Sequence, residues 1–414
     1  MDRSIIFQPL EPQAFKGPGE LAPIAKGPYA VARSTPLPPP TLLTGALATY
    51  MAMQRGIDVG RVRGMTWLEG QRMLLKLEAN AKVKGPYAIG PHRIAVQLGR
   101  SLVWLDELEA LTISMHRQLT SKEGFLSSWS QVMKAETPLL KVEVPRQVRV
   151  GIALRTRLEG SKVTRKGMIY QRDYLDYLTV SLSIAIDVCG FPDAIEVVDG
   201  GIVALSERRL SRLKLGQAEL STWVTRELEE WRGAYEDTLL YVASPVALTT
   251  SPQAKETLLN QVETLLGIKD VMVIGRLSAA PIGYSLAINS WKPVYAILEP
   301  GSAILAQGAS EIGLLKKAFE EGLGEDELRS MGWGTIIPIP IPHQPKQISG
   351  FKIERDPDKL GGKPVIRGTR IPVQQIVNEL KAGVSLEQIV EEYNLSREEV
   401  IDAEKYWRRW RGLT

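Results

Sequence analysis

Two glycine pairs, Gly322-Leu323-Gly324 and Gly332-Trp333-Gly334, frame the segment EDELRSM and constrain the fold more than any other feature. Ahead of them SEIGLLKKAFEEG reads as an amphipathic helix, and behind them TIIPIPIP alternates as a strand. Four glycines in one helix-to-strand connection bring backbone segments together where a Cβ would intervene. Two roles fit. Such pairs let backbone N–H groups approach a phosphodiester, or they make a tight connection that holds no ligand. The doubling favours the first. In the strand that follows, Pro338, Pro340 and Pro342 lie two apart, so they remove N–H donors from one edge only. That is the mark of a protected edge strand, or else of the start of a linker.

At 414 residues the chain is too long for one ordinary core, so two or three domains are expected. A net charge of +4 permits a polyanionic partner without requiring one. No apolar run reaches the ~18 residues of a membrane span, and the N-terminus has no secretory pattern. With Cys189 the only cysteine, no internal disulfide is possible and a cytoplasmic setting is expected. The three histidines, His92, His116 and His343, are far apart, without ligand spacing. No phosphate-binding lysine loop or nucleophile elbow occurs. No enzyme activity, metal or cofactor is expected.

Along the chain, Ile5 to Phe7 reads as an opening strand. A glycine- and proline-rich loop then runs to Pro38-Pro39-Pro40, where Thr41 is placed to cap a helix. Val148, Val150, Ile152 and Leu154 alternate as a strand, and the next segment reads as a hairpin with a basic tip. Glu299-Pro300-Gly301-Ser302 suits a type II turn. HQPKQISG, residues 343–350, is polar and aperiodic and marks the main boundary. Beyond it lies a loop or ribbon and three helices. The first opens at Pro372 and stops at Gly383. The second is capped by Ser385 and ends near Asn394. The third is capped by Ser396 with Glu399. This is a helix-turn-helix shape.

The doubled glycine pattern resembles the glycine-rich loop of the RAMP superfamily, the CRISPR proteins built from ferredoxin-like folds. QPLEPQAFKGPGE with STPLPPPTLLTGALAT, then RKGMIYQRDYLDY, then IGYSLAINSWKPVYAILEPGSAIL, resemble in order the third-subunit family of the Cmr (type III-B) effector. The resemblance covers about residues 1–342. It implies an α+β chain with two ferredoxin-like halves, 1–190 and 191–342, and a non-catalytic subunit. Such a subunit caps the 5′ repeat-derived tag of the guide RNA. It also docks the large polymerase-like subunit and a neighbouring backbone RAMP subunit. The candidate RNA ligands are Lys16, Lys26, Arg33 and Thr41, then Arg165, Lys166, Tyr170 and Arg172 (with Tyr174 able to stack a base), then Gly322, Gly324, Gly332 and Gly334. Bulky residues at Gly332 and Gly334 are expected to weaken RNA retention while sparing the fold.

GGKPVIRGTRIPV and the helices after it resemble the small family called domain of unknown function 433, whose members resemble VapB-type antitoxins. The resemblance implies a small all-α helix-turn-helix domain over 351–414. In it Ser396, Arg397, Glu398 and Glu399 open the reading helix, and two acids there oppose phosphate. Protein docking is therefore expected, through Arg367, Arg370, Trp407 and Arg408. The polar boundary implies that 1–342 stays soluble without this module. Three alternatives stay open: the equivalent type III-A (Csm) subunit, a toxin–antitoxin-type regulator, and a RAMP endoribonuclease. The last would need a histidine near the N-terminus, and the first one is His92.

Overall fold

The computed structural model describes residues 3–15, 31–32, 34–57, 82–91, 93–119, 122–133, 141–155, 163–189, 198–282, 284–285 and 290–410. The first part runs β1 (Arg3–Pro9), β2 (Val31–Ala32), α1 (Pro40–Gln54), β3 (Lys82–Ile89), β4 (Ile94–Leu98), β5 (Ser101–Trp104), α2 (Leu105–Gln118) and α3 (Lys122–Met133). It continues through β6 (Lys141–Val142), β7 (Arg146–Arg155), β8 (Val163–Leu175), β9 (Ser183–Cys189), β10 (Ile202–Ala204) and β11 (Leu210–Gln217).

Eight of these strands form one sheet in the order β10-β11-β1-β9-β3-β4-β5-β6. Its centre, β11-β1-β9-β3, is antiparallel throughout. In chain order these are the fourth, first, third and second strands, the ferredoxin-like arrangement. Ile5 and Phe7 of β1 are fully buried in it. Residues 202–217, expected in the second half, hydrogen-bond into this first sheet, because β11 fills the free edge of β1. The expected division at 190/191 therefore falls inside the sheet. The start of α1 also differs from expectation. Pro39 is the N-cap and Pro40 opens the helix, where a missing N–H costs nothing, so Thr41 lies buried in the first turn.

The second part runs α4 (Glu219–Glu230), β12 (Tyr235–Val242), β13 (Val246–Leu248), α5 (Ala254–Leu266), β14 (Val271–Ile274), β15 (Leu277–Pro281) and β16 (Tyr284–Ser285). Then come β17 (Ser290–Trp291), β18 (Val294–Leu298), β19 (Ala303–Ala306), α6 (Ile312–Glu321), α7 (Asp326–Arg329) and β20 (Ile336–Pro342). The sheet order β14-β19-β12-β20 repeats the ferredoxin-like pattern. Among the described residues β20 is an edge strand paired with β12 alone, as its alternating prolines require. It is nevertheless buried along its whole length, under α2, α4 and α6. Gly301 has φ +91°, the conformation its turn demands.

The two halves share their interior. One apolar cluster joins Tyr87, Val96 and Trp129 to Leu240 and Ile339, and another joins Phe7 and Leu43 to Met331 and Trp333. Asp187 at the end of β9 is buried, and its carboxylate accepts hydrogen bonds from Ser4 Oγ (2.6 Å), the Tyr87 hydroxyl, and Ser221 N and Oγ (both 2.7 Å). It thereby caps α4 from the other half. Burial still pushes its pKa up against those donors.

The C-terminal module is not all-α: it has β21 (Lys346–Gln347), β22 (Ile353–Arg355) and β23 (Pro364–Ile366) in an antiparallel ribbon, then α8 (Val373–Lys381), α9 (Leu386–Tyr393) and α10 (Arg397–Trp410). Helix ends follow the local chemistry. Ser385 and Gln388 form a capping box, Asn394 closes α9 at φ +51°, and Ser396 and Glu399 cap α10 reciprocally. The module has its own apolar core around Ile353, Ile376, Ile389 and Val400.

The boundary segment is docked on the body. Gln344 Nε2 donates to Gly233 O at 3.0 Å and Lys346 Nζ to Arg232 O at 2.6 Å. Arg355 is inserted into the body. Its guanidinium donates to Glu109 Oε1 (3.0 Å), to Glu227 Oε2 and to Glu230 Oε2 (3.2 Å), and lies 4.5 Å from the Trp231 ring centre. A Cβ on Gly361 would sit 2.5 Å from Ala110 O, so the module's backbone presses directly on α2.

Candidate nucleic-acid interface

The long hairpin β7–β8 carries a third strand. β2 pairs with β8 in parallel, Val31 beside Gln171 and Ala32 beside Arg172. This ties the C-terminal end of the first loop to the basic hairpin. Both ends of that loop are anchored there. Gln13 and Leu175 exchange backbone hydrogen bonds at 2.9 and 2.7 Å. Ser34 N donates to the Asp173 carboxylate, and Ser34 Oγ to Asp173 O at 2.6 Å. Arg146 pairs with the other oxygen of Asp173. The Tyr177 hydroxyl donates to Pro36 O, and burial pushes that phenol well above the ordinary tyrosine range. The proline run is thereby fixed to the end of the hairpin.

Lys16, Lys26 and Arg33 lie outside the described residues, as does His92. Arg165, Lys166, Tyr170 and Arg172 all lie on β8, with Arg172 at the β2 junction. Tyr174 is not free to stack a base. It is buried, and the guanidiniums of Arg149 and Arg209 lie 4.9 and 4.7 Å from its ring centre. Arg209 is in turn paired with Glu11, whose carboxyl is held below its usual range by the Leu210 N–H and by Arg209. Arg146 and Arg149 are exposed on β7 and were missed from sequence. The RQVRV stretch ahead of the hairpin was their signal.

The glycine pairs are built differently from a phosphate cradle. All four glycines are buried or nearly so, and their N–H groups are already committed. Gly322 donates to Ala318 O, Gly324 to Gln261 Oε1, Gly332 to Arg329 O and Gly334 to Pro245 O. A Cβ on Gly334 would lie 1.7 Å from Leu323 O, and one on Gly322 would lie 2.6 Å from Gly334 O. The pattern lets two backbone segments touch, and the tight connection is the role the geometry supports. Thr41 is likewise buried in its helix.

In the module, Trp407 is part of the core and carries the Lys381 ammonium 3.5 Å from its ring centre, so it is no docking anchor. Arg367 donates to Phe351 O at 2.8 Å, and Arg408 pairs with Glu404 at 2.6 Å. Arg370 is exposed. At the start of α10, Glu398 meets Lys352 at 2.8 Å and Arg397 meets Glu387 at 3.5 Å. Glu391 and Glu392 of α9 are also exposed. His116 and His343, far apart in sequence, line one cavity with Asp237, and His116 Nε2 lies 3.5 Å from the Asp237 carboxylate. Among the described residues no group of three or more His, Cys, Asp or Glu is placed to hold a metal. No helix among them is long and apolar enough to cross a membrane.

Comparison with known proteins agrees with the two-part layout. Residues 353–406 match the family described as protein of unknown function (DUF433). The chain is 22% identical over 347 residues to the CRISPR system CMR subunit Cmr3 of Saccharolobus solfataricus, covering 81% of this chain and 96% of that protein. Its fold matches a chain in a cryo-EM structure of type III-B Cmr-beta bound to cognate target RNA. The TM-score is 0.51, with 17% identity over 80% of this chain and 96% of that one. A chain of the same assembly with target RNA and AMPPnP matches with a TM-score of 0.51 at 16% identity, over 80% of this chain and 95% of that one. The chain thus resembles Cmr3 over about four-fifths of its length, and its residues 353–406 match the DUF433 family.

Proposed function

We propose that this chain is a non-catalytic, Cmr3-like subunit of a type III CRISPR effector, of the III-B kind, that holds the 5′ repeat-derived tag of the guide RNA. One observation carries the reading. β2 pairs with β8, and the two ends of the first loop are stitched to Asp173 and Leu175, so the ends of that loop are held on the hairpin strand that carries Arg165, Lys166 and Arg172. Single-stranded RNA is held by just such cationic surfaces beside exposed side chains. The RNA contacts are assigned to Lys16, Lys26 and Arg33 of the loop and to Arg165, Lys166, Tyr170 and Arg172 of the hairpin, with Arg146 and Arg149 added. The similarity to Cmr3 supports the placement in an effector, beside the large polymerase-like subunit and a backbone RAMP subunit. The module is assigned to protein contact, since its exposed helix face is acidic.

The test is to purify the tagged protein gently from its own cells and sequence the RNA that accompanies it. RNAs that share one short 5′ tag, together with RAMP-like subunits, are the expected result. RNA without a common 5′ end, or none, would overturn the reading.

A further inference from the structure

Lys84 of β3 is a buried lysine with no counter-ion among the described residues. Only 7% of its surface is exposed, and among the described residues it has no ion-pair or hydrogen-bond partner for its ammonium. Its Nζ lies 5.9 Å from the centre of the Phe319 ring on α6. Asp187 stands opposite in the ladder, yet its oxygens are occupied by Ser4, Tyr87 and Ser221. An ammonium taken from water without an anion is costly. Lys84 responds by giving up proton affinity, its pKa falling to about 7 through burial, with Lys82 and Arg329 adding to the fall and Glu320 and Glu321 opposing it.

Lys84 and Phe319 open onto a cavity of about 440 Å³ at the seam of the two halves. Lys82, Lys316 and Thr225 also line it, together with two acids, Glu320 and the hydrogen-bonded Asp187. Lys316 is balanced by Glu229 at 2.8 Å, which leaves Lys84 as the uncompensated charge at depth. The glycine connection bears on the same place, because a Cβ on Gly322 would come 3.8 Å from Lys84 Nζ.

We propose that this cavity seats a phosphoryl group, with the Lys84 ammonium as its charged ligand, Lys82 as a second cation and the Thr225 hydroxyl as a neutral donor. The phosphoryl group comes either from the backbone of an RNA or from a free mononucleotide. The assignment stands apart from the guide-RNA reading, since the cavity lies between β3, β9, α4 and α6 and not on the β7–β8 hairpin.

The test measures binding of inorganic phosphate, of AMP and of a short single-stranded RNA to the full chain, in slightly acidic chloride buffer, for wild type, Lys84→Met and Lys84→Arg. The methionine keeps the volume and removes the charge. The arginine keeps the charge and checks that any loss is electrostatic. Affinity is expected to fall roughly ten- to hundredfold in Lys84→Met, the size of a charge-assisted hydrogen bond, with part recovered in Lys84→Arg. Loss for RNA alone assigns the phosphoryl group to an RNA backbone. Loss for phosphate and AMP assigns it to a free nucleotide, and that result stands even if no RNA binds the hairpin. Equal binding by wild type and Lys84→Met, or no binding of any probe to wild type, overturns the proposal.

Discussion

Arg355 and Glu109, 246 positions apart, meet at 3.0 Å with almost no exposed side-chain surface on either. Glu227 and Glu230 complete the acidic pocket around the guanidinium, and the Tyr406 hydroxyl donates to Glu230 from α10. One strand of the module and one of its helices thus close on the same carboxylates of the body.

Removing the cation alone is expected to be severe. Arg355→Leu takes the paired cation from Glu109 and leaves Glu227 with Arg226 at 3.1 Å, which costs about 3–5 kcal/mol. The cost depends on pH. In the wild type Glu109 is pushed well above the carboxylate range by burial, with Glu227 adding to it, while Arg355 holds Glu227 down at about 2 against burial. Glu227 therefore contributes stability above its unfolded pKa that is lost as pH falls towards 2. Glu109 has the opposite sign, so its contribution is present below the unfolded pKa and lost as pH rises. Without Arg355 burial acts on both acids with less opposition and shifts both towards the protonated form, Glu227 still countered by Arg226. Denaturant unfolding across pH is expected to show the largest loss at neutral pH and a smaller one near pH 5.

Deleting residues 343–414 is expected to be milder. The body keeps its two apolar clusters, the module takes only its own, and the exposed pocket lets water reach Glu109 and Glu227. Thermal unfolding is expected to rank the truncation above Arg355→Leu. The reverse order would mean that the body needs the module's packing as well as its charge.

The glycine pairs predict a folding defect and not a selective loss of RNA. Gly334→Ala forces a Cβ onto Leu323 O at φ +68°, and a loss of roughly 3 kcal/mol or more is expected in urea unfolding. Gly308 has φ +75° with open space around it, so Gly308→Ala is expected to cost only about 1 kcal/mol.

On the hairpin, Arg165→Ala and Lys166→Ala are expected to weaken RNA binding at low salt. For each cation that no longer reaches a phosphate, the slope of log affinity against log salt should fall by about one. Filter binding across a salt series reads this directly. An unchanged slope would remove these residues from the interface.

Lys84 gives a pH signature in the free protein. Its folded pKa, about 7, lies below the ordinary lysine value, so between these two limits the unfolded chain holds the extra proton and stability rises with pH. Phosphate affinity is expected to run the other way and fall above pH 7 as the ammonium is lost. Lys84→Met should flatten both trends.

What the sequence revealed was mostly local. Ser385 with Gln388, Ser396 with Glu399, and the alternation of Pro338, Pro340 and Pro342 each act within a few residues, and each ends or edges an element as read. The residues that escaped owe their roles to distant partners. β11 joins the first sheet because β1 has an edge to fill, and Tyr174 loses its faces to Arg149 and Arg209. Arg355 looks in sequence like any charged strand residue, and nothing near it announces three acids from α2 and α4. The glycines were conspicuous, but burial, not spacing, decides whether an N–H faces a ligand.

The Arg355 pocket also bears on how such a fusion is inherited. A body that carries buried acids at 109 and 227 is fitted to this module, and a body lacking the module has no reason to keep both. Gain or loss of the C-terminal part across related genes should therefore travel with substitutions at positions 109, 227 and 230, so those three positions can serve as a marker of fusion history.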